Sequence, residues 1–322
     1  MQRKLQLNRE GEKIMTDTAL HHKNSTLDYT VGETILKVQG VNKEFGGHVV
    51  LRDVNFEIQD IRRTGITQGQ VFSILGKSGA GKTTVASIIA GLLKPTSGTV
   101  IGKDGKPIRQ GEVGFVFQNY INFDHVTVRG NLLLSAYQGM FREEAADSFN
   151  PKMILKRFLT WIFNKKILWE KVEQYLDLFD LRIHVDKFTC ELSGGQRQRL
   201  AVLCQVLCSS EFIIFDEPFS GQDPEMKEKA CEMLIKTSQL DEYKTLGIIT
   251  HDIDCAVWVS DKLLLMGKET DTATGKPKPG STVFKPYDLA EHGLAWQDAE
   301  VLRMPQFRDL VDEIKYSWFP NM

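Results

Sequence analysis

The sequence has no long apolar run: Leu200 to Cys208 is among the longest, and Gln205 interrupts it. Nothing approaches the roughly 20 apolar residues that a membrane-spanning helix needs, so the chain is expected to cross no bilayer by itself. A secretory leader is not expected either, because Arg3, Lys4, Arg9 and Lys13 mix with Glu10 and Glu12 and no apolar segment with a small-residue cleavage site follows. An excess of one charge is also missing. Forty Lys and Arg stand against 42 Asp and Glu, a formal charge of -2, so there is no general electrostatic reason to bind nucleic acid and any basic patch must be local. Cysteine is scarce: Cys190, Cys204, Cys208, Cys231 and Cys255 are odd in number and sit in apolar surroundings, which suits buried, reduced thiols. Cys204 and Cys208 have a helical i, i+4 spacing, but no second His or Cys pair completes a tetrahedral metal site. No fixed-period repeat suggests a solenoid. What is present is an ordinary globular composition, 42% hydrophobic and 25% charged over 322 residues, enough for one large domain or two of medium size.

Residues 1–33 are polar and aperiodic and are expected to be a flexible tail, with His21 and His22 more plausible as solvated side chains than as metal ligands. Ile35, Val38 and Val41, then Val49 to Leu51, Val54, Phe56 and Ile58, read as short strands around a turn at Gly46-Gly47. Val71 to Leu75 is a buried strand entering a helix over Thr83 to Leu93. Residues 125–190 carry helical periodicity. The helix Gln196 to Cys208 then leads to the strand Phe212 to Phe215, and another strand, Thr245 to Thr250, precedes His251. The outline is an α/β core interrupted by a helical insertion.

Gly76-Lys77-Ser78-Gly79-Ala80-Gly81-Lys82-Thr83, followed by Thr84, matches G-x-x-x-x-G-K-[ST] between an expected strand and an expected helix. Its glycines let successive N–H groups curl toward phosphate oxygens at the positive end of the helix. Lys82 would bridge the outer phosphates and Thr83 would ligate Mg2+. The loop alone does not separate a kinase, a GTPase, a helicase and a motor. Asp216-Glu217, at the end of an apolar strand, favours hydrolysis: the first acid would hold Mg2+ and the second would orient and deprotonate water.

Leu192-Ser193-Gly194-Gly195-Gln196-Arg197-Gln198-Arg199 closely resembles the signature sequence of ATP-binding cassette (ABC) ATPases, and other elements of that family follow in order. The resemblance implies a P-loop NTPase core with an antiparallel β subdomain and an inserted α-helical subdomain at about 119–192. The whole would lie within 34–267, with 268–322 as a C-terminal extension. It implies an Mg-dependent ATPase in which Ser193 to Gln196 face the ATP held by the phosphate loop of a second ATPase subunit, identical or paralogous. Gln118 would approach Mg2+ and the attacking water, His251 would contact the γ-phosphate, and Phe45 would stack on adenine, with core packing as the competing role. Asp223 would keep an inter-subunit contact. The family usually shows Ser-Ala-Leu-Asp there, whereas this chain has Ser220-Gly221-Gln222-Asp223, a departure that bears on how the two sites communicate. Partners implied are transmembrane permease subunits and a solute-binding protein, with the chain peripheral at the cytoplasmic face. An exporter or lipid transporter would use the same chemistry. A soluble, non-transport ATPase is a further alternative.

Residues 61–70, 111–118 and 251–258 look similar to the ATPases of nitrate, sulfonate and taurine importers. Between Gln118 and Ser193 the chain is longer than family members commonly are, with the excess around 142–171. Leu155, Phe158, Leu159 and Ile162 form one apolar stripe, and Leu168, Val172, Tyr175, Leu176 and Phe179 another; both are expected in the core. Trp161, Phe163 and Trp169 fall off those stripes, in a stretch (152–171) where six basic residues oppose Glu170 alone. A hairpin leaning on a membrane or membrane partner is one reading, a solvated self-packed hairpin the other.

Overall fold

The computed structural model describes residues 29–63, 67–140, 151–208, 211–271, 274–295 and 299–319, and for 151–163 the backbone alone. Two sheets organise it. Strands β1 (Tyr29–Phe45), β2 (His48–Arg63) and β4 (Ser97–Gly102) form an antiparallel sheet in the order β2-β1-β4. These are long, bulged strands rather than short ones, and β1 begins at Tyr29, inside the expected tail. His21 and His22 lie outside the described residues. At the β1–β2 hairpin, Gly46 and Gly47 hold φ of 55° and 85°, which is why glycine occupies both positions.

The second sheet combines β3 (Gln70–Leu75), β5 (Gly114–Val116), β6 (Phe212–Asp216), β7 (Thr245–Thr250), β8 (Lys262–Gly267) and β9 (Thr282–Asp288) in the order β5-β6-β7-β3-β8-β9. The pairs are parallel except β8–β9. β3, β6 and β7 are buried along their whole length, the pattern of central parallel strands covered on both faces. Alternation divides their side chains between two cores. Phe72, Ile74, Phe212 and Ile214 pack with the antiparallel sheet and α1 (Lys82–Ile89), while Val71, Leu75, Ile213 and Phe215 pack with the helical side.

The insertion contains α2 (Val128–Met140) and α3 (Pro151–Leu176), followed by α4 (Gly194–Cys208). Residues 152–171 therefore belong to one continuous helix, not to a hairpin. Leu168, Val172, Leu176 and Phe179 are buried as expected, with Tyr175 at the edge; the stripe from Leu155 to Ile162, Trp161 and Phe163 have side chains outside the described residues. Trp169 packs on its own domain: its Nε1 donates to Glu173 (2.6 Å), and the Arg129 guanidinium lies 4.1 Å from its ring centroid.

The expected boundary at 267 is not a structural break. β9 extends the main sheet, and α7 (Pro305–Asp312), running on into a π-helical turn at Glu313–Trp318, buries Phe307, Leu310, Val311 and Ile314 in the core that holds α6 (Ile253–Val259). All five cysteines are free. Cys231 and Cys255 are buried and Cys204 and Cys208 half-buried, but Cys190 is exposed, contrary to expectation. Among the described residues no group of three or more His, Cys, Asp or Glu is arranged to hold a metal. Nor is any described helix long and apolar enough to cross a membrane.

Candidate active site

The phosphate loop leaves the buried end of β3 and closes at the N-terminus of α1. Gly76 must be glycine because a Cβ there would sit 2.4 Å from the carbonyl oxygen of Met266. Gly79 and Gly81 adopt φ of 81° and 82°, open to glycine and strained for other residues. The loop is closed by Ala80 N–H to the Lys77 carbonyl (3.1 Å) and by Val85 N–H to the Gly81 carbonyl (3.0 Å). Lys82 is buried, and its ammonium donates to the carbonyls of Gly76 (2.9 Å) and Lys77 (3.0 Å). Lys77 and Ser78 lie in the loop, and Thr84 follows Thr83 in the first turn of α1.

The two acids at the end of β6 face this loop differently. Thr83 Oγ1 donates to Asp216 Oδ1 at 3.0 Å. Burial pushes the Asp216 carboxyl above the usual carboxylate range, and the hydrogen bond from Thr83 only partly opposes this. Two hard oxygens beside an under-compensated buried carboxylate are what Mg2+ favours, so these residues fit that ion. Glu217 adopts φ of 51°, a left-handed conformation rare for a residue with a side chain. Its N–H donates to the Ile249 carbonyl (2.8 Å), which ties it to β7. Its carboxylate is shared: Oε1 lies 3.2 Å from Lys82 Nζ and Oε2 lies 2.8 Å from His251 Nδ1. A carboxylate only accepts, so Nδ1 of His251 carries the hydrogen in this pair. Such an arrangement can take a proton at Glu217 and hold the imidazole in one tautomer.

The residue after His251 is anchored in turn. Asp252 caps α6 by accepting from Cys255 N–H (3.0 Å), and it also receives Lys227 Nζ at 2.6 Å from α5 (Pro224–Ser238). Burial alone would raise the Asp252 pKa, but the bonds from Lys227 and Cys255 outweigh it and hold the group below the usual range. No motif marks Lys227; the signal available in the sequence was only a basic residue one turn into a helix that Asp223 begins.

The remaining expected residues are placed as follows. Ser193 caps α4 with reciprocal bonds, Gln196 N–H to Ser193 Oγ (3.3 Å) and Ser193 N–H to Gln196 Oε1 (2.9 Å), while Gln196 Nε2 meets His184 (3.0 Å). Gly194 is open, with nothing within 4 Å of a Cβ, whereas Gly195 lies against Met226. The structure does not bring Ser193 to Gln196 into hydrogen bonding with their own phosphate loop. Asp223 caps α5 through Met226 N–H (3.0 Å). Phe45 is 48% exposed with Lys43 Nζ 4.7 Å from its ring centroid, so it is not a core residue. Gln118 donates to Ser220 Oγ (3.2 Å), and among the described residues no hydrogen bond joins it to Thr83 or Asp216.

A mostly parallel sheet with a glycine-rich loop between β3 and α1, and a Thr–Asp pair beside a Lys–Glu–His cluster, defines the P-loop class of nucleotide-binding folds. A model of the ABC transporter family matches residues 59–220. Among similar proteins, the sulfate/thiosulfate import ATP-binding protein CysA of Pectobacterium atrosepticum is 33% identical over 248 residues, 75% of this chain and 66% of that protein. The spermidine/putrescine import ATP-binding protein PotA of Spiroplasma citri is 31% identical over 247 residues, 76% of this chain and 62% of that protein. Both matches span slightly less than two thirds of those relatives' own length. The solved structure of cbiO1 from Clostridium perfringens, part of the ABC transporter complex cbiONQ, shares the fold at a TM-score of 0.59 and 24% identity, covering 87% of this chain and 99% of that one. The ADP conformation of MJ1267, an ATP-binding cassette of an ABC transporter, does so at 0.57 and 22%, covering 84% and 97%. The chain belongs to the ABC transporter family and carries its ATP-binding ATPase domain.

Proposed function

We propose that this chain is the ATP-hydrolysing subunit of an ABC importer, peripheral at the cytoplasmic face of a membrane and acting on permease subunits with a solute-binding protein. One observation carries the chemistry: the Glu217 carboxylate, placed by a left-handed backbone, contacts both Lys82 and His251 beside the Thr83–Asp216 pair. In this reading Glu217 takes the proton of the attacking water, and His251, held by Glu217 and followed in the chain by the anchored Asp252, positions the γ-phosphate. Lys82 exchanges its loop carbonyls for phosphate oxygens, and the loop N–H groups bind the remaining ones. Mg2+, which Thr83 and Asp216 would hold and Gln118 would approach, would neutralise phosphate charge.

The helix start at Ser193–Gln196 has Ser193 and Gly194 exposed and makes no hydrogen bond to its own phosphate loop, which supports a second copy or a paralogue completing the site head to tail, with Asp223 at the seam. Exposed Phe45 would stack on adenine. Import is favoured over export because the similar proteins named above are import ATP-binding proteins. Those proteins are named for sulfate/thiosulfate in one case and spermidine/putrescine in the other, so they do not agree on a solute. The finer reading is a nitrate-, sulfonate- or taurine-like solute, which rests on the resemblance of residues 61–70, 111–118 and 251–258 to the ATPases of that group.

The test is Mg2+-dependent phosphate release by the full chain in the membrane complex with which it purifies, beside Lys82→Ala. Nucleotide affinity should fall at least about tenfold in the variant, the size of one lost charge-assisted bond. Equal binding and turnover in parent and variant would overturn the reading.

A further inference from the structure

Pro218 directly follows Glu217, and its carbonyl oxygen gathers three side-chain donors. The Tyr120 hydroxyl lies at 3.0 Å, Gln198 Nε2 at 3.1 Å and Gln222 Nε2 at 2.9 Å. The three come from different segments: the loop just past Gln118, helix α4 two residues beyond Gln196, and the loop that ends at Asp223. Gln222 also joins the other two to each other, its Nε2 standing 3.1 Å from Gln198 Oε1 and 3.3 Å from the Tyr120 hydroxyl oxygen. Gln222 Nε2 has two hydrogens for three acceptors within reach, so it shares them among the Pro218 carbonyl, Gln198 Oε1 and the Tyr120 hydroxyl. A carbonyl can only accept, so Tyr120 donates its one O–H to Pro218 and accepts from Gln222 through a lone pair. Burial holds the Tyr120 phenol at a pKa of about 12, so it remains an O–H donor at neutral pH. Gln198 is buried, which places the cluster where an unmade hydrogen bond is costly.

The preceding residue gives this cluster its meaning. Glu217 sits in a left-handed conformation, and such backbone persists only where the surroundings over-determine it. On its N-terminal side the Glu217 N–H is tied to Ile249, and one residue past it the three donors restrain the Pro218–Phe219 peptide. The Leu that the family usually carries at position 222 has no polar side-chain atom and can make none of these Gln222 contacts.

We propose that Gln222 is a positioning residue: it ties the Gln118 loop and the signature helix to the Pro218 carbonyl, one residue past Glu217, so that the Glu217 carboxylate meets Lys82 and His251 only when those segments are in register. The proposal rests on the ATPase reading for its kinetic consequence, but not for its structural one. Gln222 touches no nucleotide contact in the structure; it acts through Pro218.

Three variants of the full chain test it, in the complex with which it purifies. Gln222→Leu should lower kcat for ATP by about 3- to 10-fold, the size of one or two net hydrogen bonds, with KM within about twofold. Gln222→Glu has nearly the same shape, yet its carboxylate cannot donate to Pro218 and draws the Tyr120 and Gln198 donors onto itself. It should be at least as slow as the Leu variant, whereas a role in shape alone would keep it near the parent. Tyr120→Phe combined with Gln222→Leu should cost less than the product of the two single effects, because the clamp is already broken. Hydrogen exchange supplies a readout independent of turnover: in Gln222→Leu, amides at 117–123 and at 217–223 should both exchange severalfold faster. Parent-like kcat in Gln222→Glu, an effect on KM alone, or faster exchange confined to 219–223 would overturn the proposal. A parent chain without ATPase activity would overturn the proposed function instead, and the exchange pattern would still decide the clamp.

Discussion

Replacing Glu217 by Gln is the most direct probe of the site, because the amide has nearly the same shape and removes only the charge and the ability to take a proton. In the structure that carboxylate binds Lys82 at 3.2 Å and His251 at 2.8 Å. Lys82 keeps two other acceptors after the change, the Gly76 and Lys77 carbonyls at 2.9 and 3.0 Å, so it is not left buried and unpaired. The amide oxygen can still accept from one of Lys82 and His251. The loss to folding is therefore expected to be about 1 kcal/mol, one net hydrogen bond, far below the 3 to 5 kcal/mol of a broken buried ion pair. Nucleotide binding, which uses the loop N–H groups and Lys82, should change by less than about threefold. Turnover should fall by about 10²- to 10⁴-fold, the contribution of a positioned general base. Steady-state phosphate release at saturating Mg-ATP, beside equilibrium binding of a fluorescent ATP analogue, separates the two effects. If kcat fell less than about threefold with binding intact, Glu217 would not be the base. If binding and thermal stability both collapsed, the carboxylate would be a structural partner of Lys82 and not a catalytic group.

Asp261→Ala should cost about 3 to 5 kcal/mol in denaturant melts, because Arg63 would lose its buried carboxylate partner at 2.7 Å and the Val71 N–H its acceptor. Ser193→Ala should cost about 1 kcal/mol as a lost helix cap, and any larger deficit in ATP turnover than in stability would report the role of the helix start in the proposed dimer. Gly81→Ala, with φ of 82° and a Cβ 2.9 Å from Leu51, should lower both stability and nucleotide affinity, measured by melting with and without ATP. Glu313, held down to a pKa of about 2 by Tyr287 and Lys285, has its folded pKa below its ordinary 4.5. Its contribution is thus present above about pH 4.5 and lost as pH falls toward 2. For a side chain 42% exposed that contribution is about 1 kcal/mol after allowing for solvent screening, and Glu313→Gln should flatten that part of the acid titration of stability.

Much of the core was legible in the sequence because it is local. A phosphate loop needs glycine at set spacings, a strand before it and a helix after it, and residues 71–89 satisfy all three within a single stretch. Buried parallel strands announce themselves as apolar runs, and the cap at Ser193 is written in its own next three residues. Boundaries were read less well. The strand from Tyr29 was hidden in polar residues because its first residues, 29–34, pair with β2 alone and bury none of their side chains. The segment after 267 looked like an appendage because its strand pairs with a partner already placed, and its helix meets α6 only in three dimensions.

By itself the sequence determined the class of fold, the nucleotide loop and the order of the acids and the histidine, since each depends on residue types at short spacing. Only the tertiary structure decided which groups meet. It turned the Glu217 carboxylate, through a left-handed backbone, onto both Lys82 and His251, and it placed Lys227 behind Asp252. It also gathered Tyr120, Gln198 and Gln222, drawn from three segments, on one carbonyl. The reason is physical: a hydrogen bond reaches about 3 Å, and residues a hundred positions apart come within that reach only after the sheet and both cores have packed.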